Sequence, residues 1–183
     1  MTESERIGKG ATEMSGVGPT PQQDGDPIMK AASQAADAPA GTEPGKAHRM
    51  SLIVFSGTVD KLMAASIMAT GAAAMGMDVE LFLTTWGIIA FRKGDYKTNM
   101  RVSAEYQEYG PIMAERMAAK GAPSWMENLQ GAKEIGNVKV LACSMTMELY
   151  GIQLEDLEPI VDEVTGVASF VERARESEIT LFI

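Results

Sequence analysis

The chain's one cysteine, Cys143, lies in VKVLACSMTMELYGI (138–152), where a short apolar run gives way to a helix-like stretch. A thiol so placed falls at the carboxyl end of a strand, the edge at which open parallel sheets bind ligands. Amides at the start of the following helix, in Ser144, Met145 and Thr146, would favour its thiolate and any anion carried on it. No Lys or Arg adjoins it in sequence to add to that effect. The competing reading is a buried structural cysteine, since free Cys is among the most buried residue types. What is missing narrows the chemistry. The one histidine, His48, falls in an N-terminal stretch expected to be a solvent-exposed tail. Neither a Cys-His dyad nor a Ser-His-Asp triad can then be built within the ordered domain. That argues against hydrolases and thiol proteases and leaves sulfur exchange, which a lone thiolate performs unaided. Without a second cysteine, an internal disulfide, a multi-thiolate zinc site and a two-cysteine peroxidase cycle within one chain are all excluded.

SGTVDK (56–61) forms a turn of small residues but lacks both the G-x-x-x-x-G-K-[ST] and the G-x-G-x-x-G spacing of nucleotide loops. Ser56, Gly57 and Lys61 are expected instead to form the rim of an anion-accepting pocket, opposite Cys143 at the same sheet edge. Ten methionines follow Met50 and read mainly as core filler; Met145 and Met147, flanking Thr146, are candidates for a soft wall around a sulfur site. Tyr96, Tyr106 and Tyr109 accompany Arg92, Lys93, Lys97 and Arg101 in a polar stretch. It reads equally as a lid or docking segment and as an exposed connection. The carboxylates Glu155, Asp156, Glu158, Asp162 and Glu163 read as a solvated face. No metal site and no cofactor is expected.

Alternating strands and helices must position these groups. SLIVFS (51–56), DVELFLTT (78–85) and NVKVLAC (137–143) read as buried strands, with shorter ones at 160–164 and 178–183. Helices are expected over 59–75, 111–120, 124–135, 144–150 and 167–176, with shorter turns at 86–91 and 154–157. Ser124 and Glu127 have the spacing of a capping box. No hairpin signal interrupts the alternation, so the fold class is α/β with a mainly parallel sheet. Residues 1–49 are rich in small and polar residues, lack aromatics and are expected to form a disordered tail, with a possible short helix around Ile28 to Ala36. Residues 50–183 make one domain. The net charge of −9 argues against nucleic-acid binding. The apolar stretch 62–77 is short for a bilayer span, no signal peptide is visible, and a cytoplasmic location is expected.

From Ser51 to Ile183 the chain resembles the DsrE/DsrF-like family, in its DsrE-like sulfur-carrier branch, to which the label peroxiredoxin family protein is often attached. The likeness rests on SLIVFSGTVDKLMAASIMATGAAAMGMDVELFLTTWGI, KVLACSMTMELYGI and GVASFVERARESEITLFI, in that order. The A-C-x-M-[ST]-M segment followed by an aliphatic-Gly pair is its most specific part. The resemblance implies a compact three-layer domain of about five strands, assembled as a homotrimer or larger oligomer. It also implies sulfur trafficking, with Cys143 holding sulfur as a persulfide or thiosulfonate and a TusA-type carrier or other sulfurtransferase as partner. Two features depart from the pattern: Thr146 stands where Ser is frequent, and the segment between Trp86 and Ser124 is shorter than the branch's Gly- and Met-rich insertion.

Overall fold

The structure, a computed structural model, describes residues 47–183; the tail expected before Ala47 and its possible short helix lie outside them. Five strands, β1 (Ala47–Val54), β2 (Asp78–Leu83), β3 (Val138–Cys143), β4 (Glu163–Thr165) and β5 (Ser177–Phe182), form one sheet in the order β4-β3-β2-β1-β5. Every neighbouring pair is parallel. The helices are α1 (Val59–Ala74), α2 (Asp95–Thr98), α3 (Gly110–Lys120), α4 (Trp125–Ile135), α5 (Ser144–Tyr150) and α6 (Val167–Arg175). The fold is the α/β class expected from the alternation.

Strand periodicity sorts the side chains into two unequal layers. Met50, Leu52 and Val54, with Val79, Leu81, Leu83, Val138, Val140 and Ala142, enter the larger core beneath α1 and α4. The inner stripe of α1 is made mostly of alanine, so α4 can approach closely: a Cβ added to Gly136 would stand 2.9 Å from that of Ala73. The expected capping box at the start of α4 is present, with Ser124 Oγ accepting from the Glu127 amide and Glu127 accepting from the Ser124 amide. On the opposite face, Phe82, Leu141, Cys143 and Phe170 form a second, smaller cluster. It is roofed by α6, which is strung between β4 and β5, the two edge strands of the sheet.

Element ends differ modestly from the sequence reading. β1 starts at Ala47 rather than Ser51, so His48 is a strand residue and not a tail residue. Its Nδ1 lies 3.1 Å from the Glu178 carboxylate of β5. β4 covers Glu163–Thr165 rather than 160–164, because Ile160 and Val161 are drawn into the larger core ahead of it. The polar stretch after Gly94 holds α2 and a 3-10 turn at Ala104–Tyr109. Among the described residues, no helix is long and apolar enough to cross a membrane.

Candidate functional site

Cys143 ends β3 and caps the first turn of α5, the strand-to-helix junction the sequence indicates. Its side chain points to the sheet face under α6 and is buried, at 2% exposure. It packs in the cluster of Phe82, Leu141 and Phe170, with Ile53 and Ala174 at the margin. The Phe170 ring lies flat on Phe82, 4.4 Å between centroids, and forms much of the roof over this face. The thiol at rest is therefore shielded from water, contrary to the open rim position that the junction alone suggests.

Two turns meet at the carboxyl edge beside it. Ser144 and Met145 are exposed, the latter at 70%, whereas Thr146 is buried and its hydroxyl is occupied. Thr146 Oγ1 accepts from the Thr85 amide at 3.1 Å and lies 3.2 Å from Thr84 Oγ1. Thr85 has a φ of +51°, a left-handed conformation rarely adopted by a β-branched residue. Such strain persists only where surrounding contacts over-determine it. Here the contacts are the Thr146 hydroxyl on one side and Gly87 on the other, where a Cβ would stand 2.2 Å from the Val54 carbonyl. The Thr146 hydroxyl thus ties α5 to the end of β2. The same turn presents Trp86, 56% exposed, whose ring centroid is 6.0 Å from that of Tyr150 on α5.

Ser56, Gly57 and Lys61 are not brought to the thiol. Ser56 and Gly57 line a cleft of about 250 Å³ with Trp86 and Arg101. Ser56 and Lys61 line another, of about 470 Å³, between Phe55 and Phe182. Cys143 lines neither. Gly57 serves packing: a Cβ there would sit 2.6 Å from the Trp86 carbonyl oxygen. Beside these clefts, burial opposes ionisation of Asp60, but hydrogen bonds from the Ser103 hydroxyl and amide and the Thr58 hydroxyl outweigh it. The Asp60 carboxyl is held below its ordinary pKa.

Sequence reasoning missed Phe170 and Arg173, both on α6. Thr165 stands beside Cys143 in the β3–β4 register, and Arg173 donates to its hydroxyl at 3.4 Å. Arg173 also lies 3.6 Å from buried Glu80 and 3.5 Å from Glu163. A cation bonded to the residue paired with Cys143 is therefore brought in from a helix some thirty residues on. Only the amphipathic pattern of 167–175 hinted at it.

A profile of the DsrE/DsrF/DrsH-like family matches residues 46–114 and 103–182. The chain belongs to that family. It is 34% identical over 157 residues to the protein YrkE of Bacillus subtilis, covering 74% of this chain and 96% of YrkE. It is 28% identical over 160 residues to the sulfur carrier protein DsrE2 of Allochromatium vinosum, covering 74% of this chain and 98% of that protein. A solved structure of a protein of unknown function from Methanobacterium thermoautotrophicum superposes with a TM-score of 0.41 at 18% identity, over 70% of this chain and 92% of that one.

Proposed function

We propose that the protein is a sulfur carrier or sulfurtransferase working through Cys143. The observation that carries this reading is the match to a sulfur carrier protein along 98% of that protein's length. Since Cys143 is the only cysteine, covalently held sulfane sulfur has one place to reside. The Cys143 thiolate attacks the sulfane sulfur of a donor; the donor's S–S bond breaks and its electron pair leaves with the donor thiolate, or with sulfite when the donor is thiosulfate. Tetrathionate would instead leave a thiosulfonate and release thiosulfate. An acceptor thiolate then attacks the outer sulfur of the persulfide and frees Cys143. Local amides of Ser144 and Met145 favour the anionic adduct, as unpaired donors at a helix start do. In the same reading the chain forms a homo-oligomer, trimer or larger, and exchanges sulfur with a TusA-type or other sulfurtransferase partner in the cytoplasm. The exposed apolar side chains of Phe182, at 66%, and Leu149, at 76%, support contact with another chain.

Burial of the thiol favours a second reading, a structural or regulatory subunit whose cysteine is inert. Mass spectrometry after incubation with thiosulfate, tetrathionate or polysulfide separates the two. The carrier gains sulfur or thiosulfonate on the native protein and loses that gain in Cys143→Ser. Absence of any adduct, or an adduct that survives the substitution, would overturn it.

A further inference from the structure

The tyrosine-bearing, cationic stretch after β2 takes no part in that chemistry, yet it borders a groove of about 300 Å³ between α1, α3 and the start of α4. Its floor is apolar and soft, including Met100, Met113, Met117 and Trp125, with Tyr96 beside them. Helix α3 explains why the groove is open. It has no buried residue at all, and Met113, Ala114 and Met117, which share one helical face, are left half-exposed toward the groove. A helix normally covers such a stripe, so among the described residues this one lacks its contact partner.

Charge indicates what would fill it. Among the described residues, Lys97 is the only charged one lining the groove. An adjoining cleft shares Met100, Val102 and Gly110 with it and is likewise lined by a single charge, Arg101. Within 92–101 four cations stand against one carboxylate, in a chain whose net charge is −9. Two nearby carboxylates are engaged, Glu127 in the capping box and Asp60 with Ser103. Neither Lys97 nor Arg101 forms an ion pair among the described residues. A volume at the lower end of small-molecule sites suits one extended chain better than a two-chain lipid.

We infer that this groove binds a free, single-chain anionic amphiphile, such as an aliphatic carboxylate or sulfonate. The chain lies along the methionines, which adapt to irregular shapes, and the anionic head sits between Lys97 and Arg101. Trp125 reports occupancy. In full-length Trp86→Phe protein, decanoate below its micellar concentration produces a saturable change in Trp125 fluorescence. Decyltrimethylammonium, with the same tail and the opposite charge, does not. The Lys97→Glu/Arg101→Glu variant, checked for fold by circular dichroism, binds decanoate about tenfold more weakly, as expected when attraction at a rim becomes repulsion. Calorimetry on the unaltered chain gives the same ranking without any substitution. Absence of saturable binding, equal binding of both head groups, affinity unchanged by charge reversal, or binding confined to anionic phospholipid vesicles would each overturn the assignment.

Discussion

If α6 is the roof over Cys143, loosening α6 should expose the thiol without unfolding the protein. Phe170 is the only buried residue on that helix, so its docking rests on one ring together with the ion pairs of Arg173. Full burial of a Phe side chain contributes roughly 1.5–3 kcal/mol. The flat stack on Phe82 adds about 0.5–1.5 kcal/mol. The partly exposed Arg173–Glu163 pair adds at most about 1 kcal/mol. Phe170→Leu keeps most of the apolar burial but forfeits the stack and some contact, so it costs about 1–1.4 kcal/mol of docking. Every 1.4 kcal/mol is a factor of ten in an equilibrium, so the undocked population rises about five- to tenfold. When reclosing is fast, the rate of thiol labelling follows that population. Reaction of the native protein with an aromatic disulfide reagent, followed by absorbance, should accelerate by the same factor. Ile88→Val, in the opposite core layer, is the control. It lowers global stability by about 0.5–1.5 kcal/mol and should leave the labelling rate unchanged. Labelling that ignores Phe170→Leu, or that responds equally to Ile88→Val, would refute local opening of α6.

Three further outcomes follow from the carboxyl edge. Thr146→Val leaves the Thr85 amide without an acceptor beside a strained φ and should cost about 1–3 kcal/mol in denaturant unfolding, whereas Thr146→Ser retains the acceptor and most of the stability. Gly87→Ala places a methyl 2.2 Å from the Val54 carbonyl, so the turn must shift. It should destabilise by several kcal/mol, about 3 or more, and should alter Trp86 fluorescence. Asp60, whose carboxyl pKa is depressed in the folded chain, contributes stability that is complete above the unfolded aspartate value and is lost as pH falls through the lower folded value. In acid titrations Asp60→Asn should therefore flatten that part of the stability curve, because Ser103 then has no carboxylate to hold.

Local pattern was enough for most of the fold because each strand is short, apolar and bounded by its own turn chemistry. NVKVLAC feeding SMTMELY places Cys143 correctly for that reason, and Ser124 with Glu127 announces the start of α4. The misplaced groups depend on which side of the sheet a chain segment crosses. Ser56, Gly57 and Lys61 share the carboxyl edge with Cys143, but its side chain turns toward α6 while Lys61 stands on α1, on the other face. A one-residue change of phase at the end of a strand decides such matters, and apolar residues on both faces of a buried parallel strand hide that phase.

The same effect bears on the chemistry. VKVLAC is apolar at nearly every position, so neither the depth of the thiol nor the identity of its cover can be read from it; both come from Phe170 and Phe82, distant in sequence and stacked in space. A carrier gains from such a cover when the sulfur it holds is labile, because water and adventitious thiols are kept away until a partner arrives. In the carrier proposed above, release is then coupled to movement of the roof or to engagement of the edge that presents Met145, Leu149 and Trp86. On that account an authentic acceptor should accelerate transfer beyond what its thiol reactivity predicts, and Phe170→Leu should shrink the advantage by speeding the reaction with small thiols most. Equal acceleration for a small thiol and for a protein acceptor would mean that the roof merely shields the sulfur and takes no part in partner choice.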